Sequence, residues 1–181
     1  MSANPIVEAL APLFADLPIF FLPLFLVVMW LYYSYKKSDE SYKITLLYIF
    51  YSAVIAIIIS LIIQQFVDID RPETAITGAG KLLLDHLPDA SFPSDHASVS
   101  VAFLTALFLS GFKRLFWAFL PWVILMNLSR VIAGVHWPLD IIVGSIVGIL
   151  GALISFKLLR GNKFASKLNF FIIKTLLYIK L

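Results

Sequence analysis

Three short polar stretches in a mostly apolar chain contain residues that could bind and cleave a phosphate. They are DIDRP (Asp68–Pro72), FPSDH (Phe92–His96) and SRVIAGVHWPLD (Ser129–Asp140). Arginine is a permanent cation whose planar donors match phosphate oxygens. Histidine and aspartate can move protons or support an attack on phosphorus. Ionisable groups are costly in so apolar a chain, which favours a functional role.

Phosphate binding is predicted from two arginines and one helix end. Ser94 is a typical N-cap residue, so we expect it to begin a helix. The backbone N–H groups of Asp95 and His96 would then lie at a helix N-terminus, where anions bind. With Arg71 and Arg130, this end would form a pocket for a phosphate group.

Two histidines in these stretches, His96 and His136, predict how the bound phosphate would be cleaved. His136 and Asp140 are four residues apart around a Trp-Pro that opens a helix, with Pro138 suited to the first turn. The Asp140 carboxylate can reach one ring nitrogen of His136, which leaves the other nitrogen as a nucleophile. His96, on the facing helix end, can protonate a leaving oxygen. We therefore expect His136 to attack phosphorus and His96 to donate a proton to the leaving oxygen.

The composition predicts a single integral membrane domain over residues 1–181. The chain is 61% hydrophobic and 14% charged, with a mean hydropathy of +0.94. A soluble protein is about 45–50% apolar and about 25% charged. The absence of cysteine excludes disulfides and thiolate chemistry. The net charge of +3 is small, and the lysines flank apolar runs, so the bilayer is a more suitable partner than nucleic acid.

Five segments have roughly the 20 apolar residues that a membrane-spanning helix needs. They are Leu17–Tyr35, Ile44–Phe66, His96–Phe112, Leu115–Val131 and Pro138–Leu159. Pro5–Ala15 is predicted to lie in the interface, and Phe164–Leu181 is either an interfacial helix or a sixth span. The expected fold is therefore an all-α integral membrane bundle of five, or six, transmembrane helices with interfacial helices.

The distribution of charge predicts the orientation. One set of connections carries most of the basic residues: Lys36, Lys37, Lys43, Lys113, Arg114, Lys157, Arg160, Lys163 and Lys167. The opposite set carries only three basic residues, Arg71, Lys81 and Arg130, together with most of the acidic ones. The first set is expected to be cytoplasmic. Alternation of the spans then places all three polar stretches together on the outer side.

Two other features have structural interpretations. Gly144, Gly148 and Ala152 recur every four residues, which predicts a face for close helix packing. The outward loop Glu73–Ala90 is predicted to be a lid or an interfacial helix. His86 in this loop has no predicted role.

The polar stretches resemble the type 2 phosphatidic acid phosphatases, a superfamily that includes the vanadium haloperoxidases. The shared pattern is RP, then PS-x-H, then SR-x5-H-x3-D. Its matches are Arg71-Pro72, then Pro93-Ser94-Asp95-His96, then Ser129-Arg130 with His136 and Asp140. The motifs cover about Gln64 to Asp140, and the helix layout extends the resemblance to Leu159.

The resemblance implies a metal-independent phosphatase, without a cofactor, that forms a phosphohistidine. His136 would be the nucleophile, Asp140 its partner and His96 the general acid. The residues implied to hold the phosphate are Arg71, Arg130 and Ser94.

The chain departs from the family pattern at two positions. The lysine expected seven residues before Arg71 is Gln64, and Lys81 is the candidate to replace its charge. Asp95 stands where glycine is common, and its carboxylate would repel phosphate unless it points away or pairs with an arginine. Gln64, Lys81 and Asp95 are therefore also candidate phosphate-binding residues. Bacterial members that resemble undecaprenyl-diphosphate phosphatases carry the PSDH form.

The expected function is that of a bacterial inner-membrane lipid phosphatase with its site facing the periplasm. Little polar mass lies outside the bilayer, which favours a small headgroup, and undecaprenyl diphosphate is the first choice. Phosphatidylglycerol phosphate, phosphatidic acid and the 1-phosphate of lipid A are alternatives. A non-catalytic lipid-phosphate transporter would need the arginines but not the His136–Asp140 pair. A haloperoxidase is disfavoured because those relatives are soluble.

Overall fold

The computed structural model describes residues 5–37, 40–72 and 91–178, and the secondary structure there is entirely helical. The helices are α1 (Pro5–Tyr32), α2 (Glu40–Gln64), α3 (Asp95–Leu109), α4 (Lys113–Ile132), α5 (Pro138–Leu153) and α6 (Lys163–Tyr178). π-Helical turns extend α1 through Tyr33–Lys37 and α5 through Ile154–Leu159. The predicted all-α bundle is confirmed. The Glu73–Ala90 loop, with Lys81 and His86, lies outside the described residues.

Four of the described helical stretches are long and apolar enough to cross a membrane. They are Leu13–Tyr35, Glu40–Gln64, Lys113–Ile132 and Pro138–Leu159. The other predicted span, α3, has only 15 residues, which rise about 22 Å. It lies between α2, α4 and α5 and buries Ala97, Phe103 and Leu107 completely or almost so. The short helix is therefore an interior element of the bundle.

α1 joins the predicted interfacial segment Pro5–Ala15 to the predicted first span in one helix, and its membrane-spanning stretch begins at Leu13 rather than at Leu17. α1 runs without a break from Pro5, and Pro18 remains inside it. A proline removes one backbone donor, but membrane helices tolerate this loss where neighbouring groups satisfy the freed carbonyl. Nothing else in this stretch ends a helix. As a result Asp16 lies within α1.

The predicted small-residue face of α5 is confirmed. A Cβ atom placed on Gly144 would lie 2.6 Å from the Ser94 carbonyl oxygen, and one on Gly148 would lie 2.5 Å from that of Ser98. Ala152 on the same face is completely buried. The backbones of α5 and α3 thus approach as closely as glycine allows. This approach brings the first turns of both helices together.

The larger apolar core lies away from these first turns. Ile49, Phe103 and Leu107 are its largest fully buried side chains, and Phe156 of the π-helical turn belongs to the same cluster. Three rings, Phe25, Phe103 and Phe119, pack edge to face with centroids 5.0–5.8 Å apart. Such pairs are more favourable than their buried area alone. This core joins α1 to the rest of the bundle.

The C-terminal helix α6 contacts the bundle through a narrow stripe, Ala165, Asn169 and Ile173. Asn169 accepts a hydrogen bond from the Tyr51 hydroxyl at 2.8 Å. Within the described residues, α6 is not among the helices able to cross a membrane by length and hydropathy. Its interfacial placement stays a prediction.

Gly148→Ala is expected to destabilise the bundle. The new methyl group would lie 2.5 Å from the Ser98 carbonyl oxygen and 2.8 Å from the Ala102 nitrogen. Both are backbone atoms, so α3 and α5 must separate, which costs about 1–3 kcal/mol. The measurement is the thermal unfolding midpoint in detergent. Ile146→Ala, on the exposed face of α5, is the control. Equal midpoints for Gly148→Ala and wild type would contradict the packing described.

Candidate active site

The three polar stretches meet at one end of the bundle, where α2 and α4 end and α3 and α5 begin; we call this the site end. The Trp137 indole N–H donates to the carbonyl oxygen of Asp70 at 2.9 Å, which joins the first stretch to the third. The Ser94 backbone N–H donates to the carbonyl oxygen of Asp140 at 3.1 Å, which joins the second to the third. Residues distant in sequence are thus fixed side by side.

The His136–Asp140 pair forms where α4 ends and α5 begins. Gly134, at φ +79°, occupies the left-handed region and reverses the chain after α4. The Asp140 carboxylate oxygen Oδ2 accepts the Trp137 backbone N–H at 2.8 Å and lies 3.3 Å from His136 Nδ1. Because a carboxylate only accepts, this contact assigns the ring proton to Nδ1. His136 Nε2 then carries the free lone pair.

Arg130 lies next to that lone pair. Its guanidinium Nη2 donates to His136 Nε2 at 3.4 Å, and its side chain is only 1% exposed. The other terminal nitrogen, Nη1, donates to the Asp16 carboxylate at 2.5 Å and to the Ala15 carbonyl oxygen at 3.3 Å. One buried cation therefore connects α4, the ring nitrogen predicted to attack and α1.

Arg71 approaches the same histidine from the first polar stretch. It is buried, and its Nη1 donates to the Val135 carbonyl oxygen at 3.0 Å. Its charge is close enough to His136 to affect the titration of that ring. A hydrogen bond of 3.0 Å from the Ser91 backbone N–H to the Ile69 carbonyl oxygen holds the neighbouring chain in place. Both predicted arginines therefore lie beside the predicted nucleophile.

Ser94 occupies the predicted N-cap position of α3, but its hydroxyl does not cap the helix. Its backbone is extended, at φ −71° and ψ 118°, as at most N-caps. The hydroxyl is completely buried and has no hydrogen-bond partner among the described residues. The predicted N-cap position is thus confirmed, and its side chain makes no hydrogen bond to α3. A buried hydroxyl without a partner is costly, and a ligand oxygen would satisfy it.

The two departures from the family pattern contact each other. Gln64 Nε2 donates to the Asp95 carboxylate at 3.0 Å and to the Pro93 carbonyl oxygen at 3.3 Å. Both amide hydrogens are thereby engaged, and the carboxylate that could repel a phosphate accepts one of them. The pair ties the end of α2 to the start of α3. A direct contact of either residue with phosphate stays a prediction.

His96 is connected to the other site residues through Asp16, which sequence reasoning missed. His96 Nε2 lies 3.5 Å from Asp16 Oδ1, the same oxygen that contacts Arg130. The only sequence signal for Asp16 was a single acidic residue in the first apolar segment. Lys81, the proposed replacement for the missing lysine, lies outside the described residues.

An apolar groove of about 490 Å³ runs between α1 and α4. Phe14, Leu17 and Phe21 form one side, and Trp122 and Met126 form the other. Phe14 and Leu17 flank Asp16 in α1, and Met126 precedes Arg130 by one helical turn. The groove therefore begins beside the charged residues of the site.

The sequence is similar to those of known proteins. The sequence model of the PAP2 superfamily matches residues 45–164. The bacitracin transport permease protein BcrC of Bacillus licheniformis is 34% identical over 155 residues, which are 84% of this chain and 70% of that protein. The putative undecaprenyl-diphosphatase YbjG of Escherichia coli (strain K12) is 33% identical over 133 residues, 72% of this chain and 63% of that protein.

A solved structure has a similar fold. The crystal structure of Aquifex aeolicus LpxE superimposes with a TM-score of 0.66, over 86% of this chain and 88% of that one. The sequence identity is 22%, so this likeness supports the helix arrangement alone.

The pH dependence of activity should show the protonation of His136, which the contact with Asp140 affects. His136 lies between two membrane-spanning segments, and burial lowers its pKa below the ordinary 6.5. The hydrogen bond with Asp140 raises the pKa, whereas the charges of Arg130 and Arg71 lower it. The neutral, reactive imidazole is present above the pKa, so activity is lost as the pH falls through it.

Asp140→Asn removes the negative charge that raises the pKa of His136. The acidic limb of kcat/KM should therefore move to lower pH. The rate at the optimum should also fall, since the ring loses its charged partner. Asp68→Asn, an exposed residue at the same end, should leave the limb in place. A shift of the limb to higher pH in Asp140→Asn would contradict this account.

Proposed function

The chain belongs to the PAP2 superfamily and is a phosphatase that hydrolyses phosphoester or anhydride bonds of lipids, and from this premise we propose that it works through a phosphohistidine on His136. The observation that carries the proposal is the unprotonated ring nitrogen His136 Nε2, which lies next to Arg130. Asp140 holds the opposite ring nitrogen, and the guanidinium of Arg130 lies 3.4 Å from Nε2. A phosphate bound by Arg130 would thus meet the nucleophile.

The reaction has two steps. In the first, His136 Nε2 forms a bond to phosphorus while the bond to the leaving oxygen breaks in line, and His96 gives that oxygen its proton. In the second, a water that gives its proton to His96 displaces the histidine and releases inorganic phosphate. Arg71, Arg130 and the start of α3 stabilise the charge on the transferred group, usually the largest catalytic contribution.

We propose undecaprenyl diphosphate as the substrate. The E. coli relative is named a putative undecaprenyl-diphosphatase, and a Bacillus subtilis relative, 24% identical over 154 residues, is named an undecaprenyl-diphosphatase. The α1–α4 groove begins beside Asp16 and within one turn of Arg130. A single long hydrocarbon chain can lie there while its diphosphate reaches the arginines.

We further propose that the protein lies in a bacterial inner membrane with its site facing the periplasm. The end of the bundle opposite the site carries Lys43, Lys113, Arg114, Lys157, Arg160 and Lys163. Basic residues concentrate on the cytoplasmic side of membrane proteins, so the site end should face outward. Substrate would then enter laterally from the outer leaflet.

Phosphate release in detergent tests the substrate. The panel contains undecaprenyl diphosphate, the short-chain farnesyl diphosphate, phosphatidic acid, phosphatidylglycerol phosphate and lipid A. We expect the highest kcat/KM on undecaprenyl diphosphate and a lower value on farnesyl diphosphate, whose shorter chain buries less apolar surface. Activity should persist in EDTA, since arginines supply the positive charge. A preference for another lipid would refute the substrate, and no release from any lipid by folded protein would favour the transporter alternative.

The two histidines should differ in how their loss depends on the substrate. His136→Ala removes the nucleophile, so activity should vanish on every lipid. His96→Ala removes the acid, a contribution of about 10²–10⁴-fold. A diphosphate lipid expels a phosphate, which needs a proton less than the alkoxide expelled from phosphatidic acid. His96→Ala should therefore retain relatively more activity on the diphosphate.

Rapid-quench trapping of labelled phosphate on the protein checks these roles. Label should appear on wild type and be absent from His136→Ala. His86→Ala, which changes the chain's third histidine, is the matched control and should trap label normally. Label on His136→Ala, or an equal loss of both substrate classes in His96→Ala, would overturn the assignment.

A further inference from the structure

Asp16 is the single ionisable residue between Leu10 and Tyr32, yet it contacts two residues of the site. Its oxygen Oδ1 accepts from Arg130 Nη1 at 2.5 Å and lies 3.5 Å from His96 Nε2. The motifs that define the site do not include it. A carboxylate in an apolar helix is costly, so its position calls for a reason.

The two partners of Asp16 have defined tasks in the proposed function. Arg130 binds a phosphate oxygen, and His96 Nε2 gives a proton to the leaving oxygen. Both groups contact one carboxylate oxygen of Asp16, so this side chain occupies donors that the substrate oxygens would need. We propose that Asp16 is a positioning residue that fills this place in the empty site and withdraws when phosphate binds. The inference rests on the proposed function and deepens it.

The Asp16 carboxylate and a bound phosphate compete for Arg130 because both are anions. A phosphate oxygen and the Asp16 carboxylate would repel each other if both lay within bonding distance of Arg130 Nη1. The Arg130 side chain is 1% exposed and fixed by its surroundings, whereas that of Asp16 is 35% exposed and has room to turn away. Asp16 is therefore the group that moves.

The same contact benefits the empty enzyme. A buried guanidinium without a counter-charge costs several kcal/mol, and the Asp16 carboxylate supplies that charge between turnovers. When phosphate is released, the carboxylate returns to Arg130 and competes with the product. Asp16 thus keeps Arg130 and His96 in place and lowers the affinity of the site for inorganic phosphate.

Direct binding of inorganic phosphate tests the proposal without turnover. Isothermal titration of the full-length protein in detergent gives the dissociation constant for wild type, Asp16→Asn and Asp16→Ala. If the carboxylate holds Arg130 in about nine molecules of ten, its removal should tighten binding about tenfold. Asp16→Glu keeps the charge and should stay close to wild type. Asp68→Asn, which removes an exposed carboxylate at the site end, should bind as wild type does.

Single-turnover kinetics separate this role from that of a permanent partner of His96. If Asp16 withdraws, Asp16→Asn should keep the rate of the first turnover and become more sensitive to inhibition by phosphate. A fall in the first-turnover rate with unchanged or weaker phosphate binding would overturn the inference. If wild type cleaves no lipid while Asp16→Asn still binds phosphate more tightly, the proposed function fails and the inference stands.

Discussion

The burial of the Arg130 guanidinium is the constraint on which the site depends. A cation removed from water must regain its lost hydration through hydrogen bonds and a counter-charge. Arg130 does so with the Asp16 carboxylate and the Ala15 carbonyl oxygen of α1, and with His136 Nε2. These contacts attach α1 to α4 at the site end and hold His136 Nε2, the proposed nucleophile, beside the cation proposed to bind phosphate.

A second constraint is steric rather than electrostatic. It places the second and third polar stretches side by side. Gly144 and Gly148 let α5 approach the backbone of α3 as closely as two helices can. The backbone hydrogen bond from Ser94 to Asp140 closes the contact at their first turns. Both helices begin at this contact. The third polar stretch, which ends in Asp140, and the second, which begins α3, therefore lie at the same end of the bundle.

Most of the site was predictable because its determinants are local. The four-residue spacing of His136 and Asp140 across a helix start is enough to predict their contact, and the apolar segments fix the helix order within a few residues. Asp16 was not predictable, since it contacts Arg130 across 114 positions and belongs to no motif. The sequence did not show that the interfacial segment and the first span form one helix, in which neither Pro18 nor the lone charge of Asp16 ends α1. The Gln64–Asp95 contact joins two departures that had each been interpreted alone.

The three carboxylates of the site have different partners, and the partners determine what each can do. Asp140 contacts His136 Nδ1, the ring nitrogen opposite the proposed nucleophile, and the N-terminus of α5, so it can remain throughout the proposed reaction. Asp95 accepts from the neutral amide of Gln64, which turns a carboxylate of the phosphate-binding helix end toward α2. Asp16 alone bonds to a cation that the substrate also needs. The electrostatic requirements of the empty site and the occupied site conflict. The empty site must stabilise buried arginines, whereas the occupied site must bind a multiply charged anion. A carboxylate that can move away from Arg130 satisfies both requirements. α1 is the helix best placed to supply it, because it touches the rest of the bundle mainly through α4.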